Sequence, residues 1–450
     1  MCLNIHPNAA SNFNEKANGL IGLIEEFPIE KQKKSSFNSD LNVAASFTDK
    51  DIIGEIEVVK SDYRGNTIQQ FFHFSDKKFG LSESNYSELR EIAERIQSLA
   101  AVRSVLSLSF VAKKLFSWIS QKYRGLNVPD LFIDYLDAEA STVIKTITSW
   151  IPIANLEVET AFTVSGSEIR PFSKTVIDKW AAEVEGLAGE NKENALKLFE
   201  QIRKDYQGLA AVVTTTTSEP GYANDYALEE AQKITAVLGI FSGATLMPDI
   251  KCVSNIKGSE LIAQSTTFIV GDEDTFQMTS GIIDKASAKY WRLGQRDIIE
   301  IQKTGLDTIS SILMSDSPTN FEESILNAIF LYSKSAFTAD PVEKVVYMLS
   351  SLESILLKNE NEPIQQNLAE RIAVFTAQEL TKRKAIIKMI KSIYGVRSRY
   401  LHHGHTSSEL KLISEFMMQV WIFYIQLLAN VAQFSTQEEF VNAIDDHKLS

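Results

Sequence analysis

The chain is poor in cysteine: of 450 residues, only Cys2 and Cys252 carry thiols. Two thiols cannot build a disulfide framework or a cysteine-based zinc site, so a reducing cytosol is the expected, cytoplasmic setting. Residues 1–315 hold no P-loop, no GxGxxG following a strand and no metal-ligand cluster, which removes the usual nucleotide-binding signatures. No internal repeat or long low-complexity run occurs. The first residues, MCLNIHPNAASNFNEKAN, are polar without an apolar centre, so no secretory signal is expected. Histidine is also scarce, at six in the whole chain.

Apolar residues make up 44% of the chain, enough for a large core, and the length suggests two to four domains. The net charge of −13 argues against non-specific coating of nucleic acid, so any such contact must be local. One stretch, FMMQVWIFYIQLLANVAQF at 416–434, is apolar enough to pass for a membrane span. Its Gln419, Gln426, Asn430 and Gln433 fall on one helical stripe, which a lipid-facing span would not need. A buried core helix, and no membrane contact, is the expectation.

The patterning predicts an α+β fold, mostly helical overall, in three regions. Residues 1–150 read as mixed β and then helical. Strands are expected at IIGEIEVV (52–59) and TIQQFFHF (67–74), with helices over 85–124 and 129–149. Residues 151–315 read as α+β. LEVETAFTVSGSEIRPF (156–172) reads as strands around a Ser165-Gly166 turn, followed by helices at 174–187 and 190–212. The threonine-rich TTTTSEPGY (214–222) reads as a connector, then a helix at 225–240 and strands within 244–271. After the break at 315–320 the pattern becomes purely helical, a bundle over 320–450. Its helices are expected at 321–336, 341–358, 364–378, 381–402 and 407–434. Asn320 with Glu323, and Asp340-Pro341 with Glu343, read as helix starts.

Half of the histidines lie in YGVRSRYLHHGH (394–405). Gly404 marks a helix end, and Thr406 with Glu409 reads as the capping box of the next helix, so His402 and His403 fall in a last turn. Three readings are open. The imidazoles and arginines can serve a helix C-terminus, whose dipole favours cations. His402, His403, His405 and Glu409 can be imagined around zinc, but the neighbouring arginines would repel a cation. The third reading is acid–base chemistry on a phosphodiester, for which histidine titrates in the right range and arginine forks onto phosphate oxygens. On one helix Arg397 and His402 diverge by about 140° with a rise of about 7.5 Å, which a symmetric pair of such helices would resolve.

Upstream, Lys384, Lys388 and Lys391 lie on a different face of the same helix from Ile386, Ile390 and Ile393. With Arg399 they form a local basic surface in an acidic chain, a candidate phosphate-tracking face as well as an ordinary solvated one. Glu353 falls on the apolar stripe of Val346, Leu349 and Leu356, where it needs a partner; Arg397 and Arg371 are the candidates.

Arg397-Ser398-Arg399-Tyr400-Leu401-His402 resembles the R-x4–6-H signature of HEPN domains. MLSSLESILL (348–357), NLAERIAVF (367–375) and IYGVRSRYLHHG (393–404), in that order, are similar to the ApeA-like branch of that superfamily. The resemblance covers about 321–434. It implies a helical bundle acting as a homodimer or higher oligomer, and a metal-independent endoribonuclease without cofactor. RNA, tRNA among the classes, would be the substrate, in anti-phage defence, abortive infection or stress. It implies Arg397 and His402 as the catalytic pair, with Ser398 supporting them; Glu353 and Tyr400 are expected as further supporting residues. His403 also fits, because this chain has two histidines where the pattern has one before the glycine. The N-terminal regions would then sense a phage or nucleotide trigger or position substrate. The competing expectation is a non-catalytic HEPN module that binds RNA or protein.

Overall fold

The computed structural model describes residues 3–28, 59–62, 67–183, 190–259, 264–270, 276–282, 291–359, 361–403 and 409–449. They form an α+β chain that is mostly helical, mixed at the start and all-helical at the end. Two compact units are present: residues 1–148 with 215–226, and residues 149–214 with 227–450.

The first unit opens with α1 (Pro7–Ile21) and a four-stranded sheet of β1 (Glu25–Phe27), β2 (Val59–Ser61), β3 (Thr67–Phe74) and β4 (Lys77–Gly80), ordered β1-β4-β3-β2. The expected strand at 67–74 is β3. Most of the one expected at 52–59 lies outside the described residues, and Val59 opens β2. Helices α2 (Glu83–Gln97), α3 (Leu108–Tyr123) and α4 (Phe132–Val143) complete the unit. Its core gathers Leu89, Ile92, Ile96, Leu115, Trp118, Phe132 and Leu136. The helix expected over 129–149 stops at Val143, because the β-branched run from Thr146 belongs to β5 (Lys145–Ala154).

Most of a five-stranded sheet lies in the second unit. After β5 come β6 (Leu156–Val158), β7 (Phe162–Val164), β8 (Ser167–Pro171), α5 (Lys174–Glu183), α6 (Glu190–Tyr206), β9 (Ala210–Ser218), α7 (Pro220–Ile240) and β10 (Asn255–Ile256). The strand order is β10-β5-β9-β8-β7. Ser165 and Gly166 both take positive φ in the expected turn between β7 and β8. The threonine-rich connector is instead the end of β9: four consecutive threonines suit a pleated strand better than a loop. For the same reason the helix expected to reach 212 ends at Tyr206. The antiparallel pair β11 (Gln264–Val270) and β12 (Phe276–Ile282), then β13 (Trp291–Leu293) running parallel to β6, lead into α8 (Gln295–Ile301) and α9 (Asp307–Leu313). A π-helical turn at Gln302–Leu306 joins α8 to α9 through Gly305, at φ 130°. A Cβ there would sit 2.6 Å from Leu428, so both conformation and space require glycine.

The remaining helices are α10 (Asn320–Phe337), α11 (Pro341–Leu356), α12 (Ile364–Thr376), α13 (Leu380–His403), α14 (Leu410–Asn430) and α15 (Gln437–Leu449). The first five match the expected helices to within a few residues. The break at 315–320 falls inside the second unit, whose apolar core runs without interruption from Val164, Ile169 and Ile234 to Phe321, Leu352, Ile393 and Phe423. Thr319, not Asn320, caps α10, in a reciprocal box with Glu322. Asp340 caps α11, accepting from the Val342 and Glu343 amides at 2.8 and 2.9 Å. Glu409 is the N-cap residue of α14, not its third residue, so the helix opens three residues later than expected. Gly404, His405 and Thr406 lie outside the described residues.

Helix α15 was not expected. Its Thr436 Oγ1 accepts from the Glu439 amide at 3.2 Å, a T-x-x-E start that the sequence does carry. Its Asp445 takes Nε and Nη2 of buried Arg371 at 2.9 and 3.0 Å, while Glu362 takes Nη1 at 2.6 Å. Helix α14 is the one helix among the described residues long and apolar enough to cross a membrane. Its Phe416, Val420, Phe423, Leu427 and Leu428 are buried in the core of the second unit.

Candidate functional site

Helix α13 runs unbroken for 24 residues and carries almost every candidate residue. Ile390, Ile393 and Val396 are buried at 1% exposure or less and set its rotation against α11, α12 and α14. Burying each such side chain contributes about 1.5–3 kcal/mol, so the helix is not free to roll. That fixed rotation decides which functional groups face in and which face out.

Arg397 faces in. Its Nη1 donates to Glu353 Oε1 on α11 at 2.5 Å, and the two side chains are 24% and 19% exposed. The same Oε1 accepts from the Tyr394 hydroxyl at 2.8 Å. The guanidinium carbon lies 5.9 Å from the centre of the Tyr394 ring. Of the two partners considered for Glu353, Arg397 is the one found; Arg371 is occupied by Glu362 and Asp445. Burial, and then the Glu353 charge, push the Tyr394 phenol well above its ordinary value, so it remains a hydrogen-bond donor throughout the working pH range. Tyr394 was not a sequence-level candidate. Its place three residues before Arg397 puts it on the same helical face, but nothing in the sequence says that the Glu353 carboxylate lies there.

His402 faces out and is exposed in the last turn of α13, as expected. His403 is the last residue of the helix. Ser398 and Arg399 are exposed, and Arg399 Nη2 donates to Glu409 Oε1 at 2.7 Å, tying the end of α13 to the start of α14. Tyr400 is half-buried, its hydroxyl 3.5 Å from Glu343 Oε1 on α11. Burial and the nearby carboxylates of Asp340 and Glu343 raise its pKa.

Lys384, Lys388 and Lys391 are all exposed and line, with Ile387 and Ser392, a shallow groove of about 420 Å³. Among the described residues none of the three is in an ion pair, whereas neighbouring Lys382 pairs with Glu379. No family model, no curated protein and no solved structure matches the chain. The likeness to HEPN domains rests on the three ordered sequence segments.

Among the described residues no group of three or more His, Cys, Asp or Glu side chains is placed to hold a metal ion. What the site offers is a guanidinium held by a carboxylate, an exposed imidazole five residues further along, and a row of exposed ammonium groups. Those groups can bind a phosphodiester, stabilise charge on its oxygens and exchange protons with it.

A second buried cation lies elsewhere in the unit. Lys344 of α11 is fully buried, and its Nζ donates to the carbonyls of Ala244, Met247 and Ile250 at 2.5, 3.2 and 2.5 Å. All three ammonium donors are thereby used. Burial lowers its pKa to about 8, against the opposing pull of Asp249. Fully buried and held by these three carbonyls, Lys344 is a tie between α11 and the 244–250 segment.

Proposed function

We propose that the protein is a metal-independent endoribonuclease of the HEPN type, cleaving RNA, tRNA among its classes, in the cytoplasm. The observation that carries this reading is the anchoring of Arg397: an arginine of the R-x4-H pattern held in place by a carboxylate from the neighbouring helix, on the same helix as exposed His402. Arg397 would stabilise negative charge on the phosphate oxygens. His402, with His403 as the alternative, would move the proton between the ribose 2′-hydroxyl and the leaving 5′ oxygen. Ser398 would support the phosphate, and Glu353 would orient the guanidinium. Arg397 and His402 occupy different sides of α13, which supports a site completed by a second copy of the chain in a homodimer. An anti-phage or stress role, triggered through the N-terminal regions, follows from the family likeness alone.

The test is RNA cleavage in EDTA by the purified full chain, with the new ends sequenced. The expected product carries a 2′,3′-cyclic phosphate. Arg397→Ala and His402→Ala should each lower the rate by at least about 100-fold with the fold retained. Normal cleavage by the Arg397→Ala/His402→Ala double variant refutes the reading and leaves a non-catalytic RNA- or protein-binding module.

A further inference from the structure

An α-helix turns by about 100° per residue, so the uninterrupted α13 fixes the angular position of every side chain on it. Measured from His402, Lys384 falls within about 10°, Lys391 and Gly395 within about 20°, and Lys388 and Ser398 within about 40°. Arg397 lies about 140° away, in the wall of α11. The exposure of the residues agrees: Lys384, Lys388, Lys391, Ser398 and His402 are exposed and Gly395 half so. The basic groove and His402 therefore share one outward face, about 27 Å long from Lys384 to His402.

Gly395 sits in the middle of that face. A glycine inside a helix is destabilising relative to alanine. Packing does not require it: an added Cβ would meet Arg399 Nη1 at 3.6 Å, an ordinary contact. Its φ is not positive, unlike that of Gly305. With no Cβ, the helix backbone at Gly395 is open to close approach once the Arg399 side chain moves aside.

We propose that a single strand of RNA lies along this face. Its phosphates sit in the Lys384–Lys388–Lys391 groove, its backbone passes closest at Gly395, and the strand delivers a phosphodiester to His402. The inference rests on the ribonuclease reading and names the substrate as single-stranded. A strip one helix wide, with ammonium groups spaced over about 10 Å, tracks one backbone. A duplex reader spans about 16 base pairs and contacts two successive minor grooves.

The experiment measures binding apart from cleavage. The full-length His402→Ala chain is titrated into a fluorescent 12-nucleotide RNA without secondary structure, at several salt concentrations, with thermal melts alongside. Lys384→Ala/Lys388→Ala/Lys391→Ala in that background should weaken binding at least tenfold and reduce the slope of log K against log salt by about 2, the release of three counterions from a single strand. Gly395→Ala should raise the melting temperature yet weaken binding severalfold, and a duplex of equal length should compete poorly. Unchanged affinity and salt slope in the triple variant overturns the proposal. So does a Gly395→Ala chain that binds as its parent does, or a Gly395→Leu chain that changes oligomeric state with RNA affinity intact, which would assign the face to chain–chain contact. If the wild type binds RNA along this face but never cuts it, the ribonuclease reading fails and the track stands.

Discussion

Replacing Glu353 tests the arrangement around Arg397 most directly. Its Oε1 accepts from both Arg397 and Tyr394, so removing the carboxylate strips two α13 side chains of a shared partner. Hydrogen bonds to charged groups contribute about 1.5–3 kcal/mol each, and leaving one member of a fully buried ion pair alone costs about 3–5 kcal/mol. At 19% and 24% exposure water reaches both partners, so the lower part of that range applies. Glu353→Ala should therefore destabilise the protein by about 2–3 kcal/mol, and Glu353→Gln, which keeps an acceptor oxygen in place, by about 1 kcal/mol. A double-mutant cycle with Arg397→Met, read by urea denaturation, should return a coupling of about 1 kcal/mol. In RNA cleavage Glu353→Gln should lower kcat more than it raises KM, because it loosens a group that acts on the reacting phosphate without removing any contact to the rest of the strand. Tyr394→Phe should show the same split more weakly, and combining it with Glu353→Gln should add little. A coupling below about 0.3 kcal/mol, or losses confined to KM, would refute the idea that Glu353 positions Arg397.

Arg371→Met should destabilise the second unit by about 3 kcal/mol in urea titrations, because it strips Glu362 of its cation and leaves the one-third exposed Asp445 to Lys358 alone; a loss under about 1 kcal/mol would show that α15 is held by its apolar side alone. Arg371 holds the Glu362 carboxyl below its ordinary value, and Asp445, despite the opposing effect of burial, is held low by Arg371 and Lys358. Their stabilisation is present above the ordinary carboxylate pKa values and is lost as pH falls through the depressed ones, so wild type and Arg371→Met should converge in stability below about pH 4. Lys344 has the opposite profile: the folded protein releases its proton near pH 8 and the unfolded chain only near 10.5, so the unfolded state holds more protons between those values. Wild type should thus gain stability relative to Lys344→Met between pH 7.5 and 9.5, with about 3 kcal/mol as the ceiling for the whole titration, and a difference that stays flat or falls would contradict the buried-ammonium picture. Gly305→Ala should lower the melting temperature by several degrees, since it forces an L side chain into positive φ against Leu428.

Much of the helical bundle was legible because its signals are local: Asp340-Pro341 with Glu343, and the 3–4 spacing of Ile386, Ile390 and Ile393, each lie within one or two turns. The β9 strand was not, because TTTTSEPGY reads as loop chemistry, and only its neighbours β5 and β8 give those threonines a pleated surface to occupy. The missed α15 did carry a start signal in Thr436 and Glu439; what holds it, Arg371, lies more than sixty residues away. At the candidate site, the need of Glu353 for a cationic partner was readable, but the choice of Arg397 over Arg371 depended on how α11 and α12 turn against α13. Tyr394 had no signal of its own, since nothing in the sequence says which face of α13 meets the carboxylate.

The regularity of α13 makes it a spacer of fixed phase. Inserting one residue between Arg397 and His402 would swing the imidazole by about 100° around the axis, and inserting two would bring it to within about 20° of the arginine's side. The number of intervening residues is therefore a geometric setting: with four, one group is committed to the interior wall and the other to the open face. Any change in that number would rebuild the site rather than adjust it.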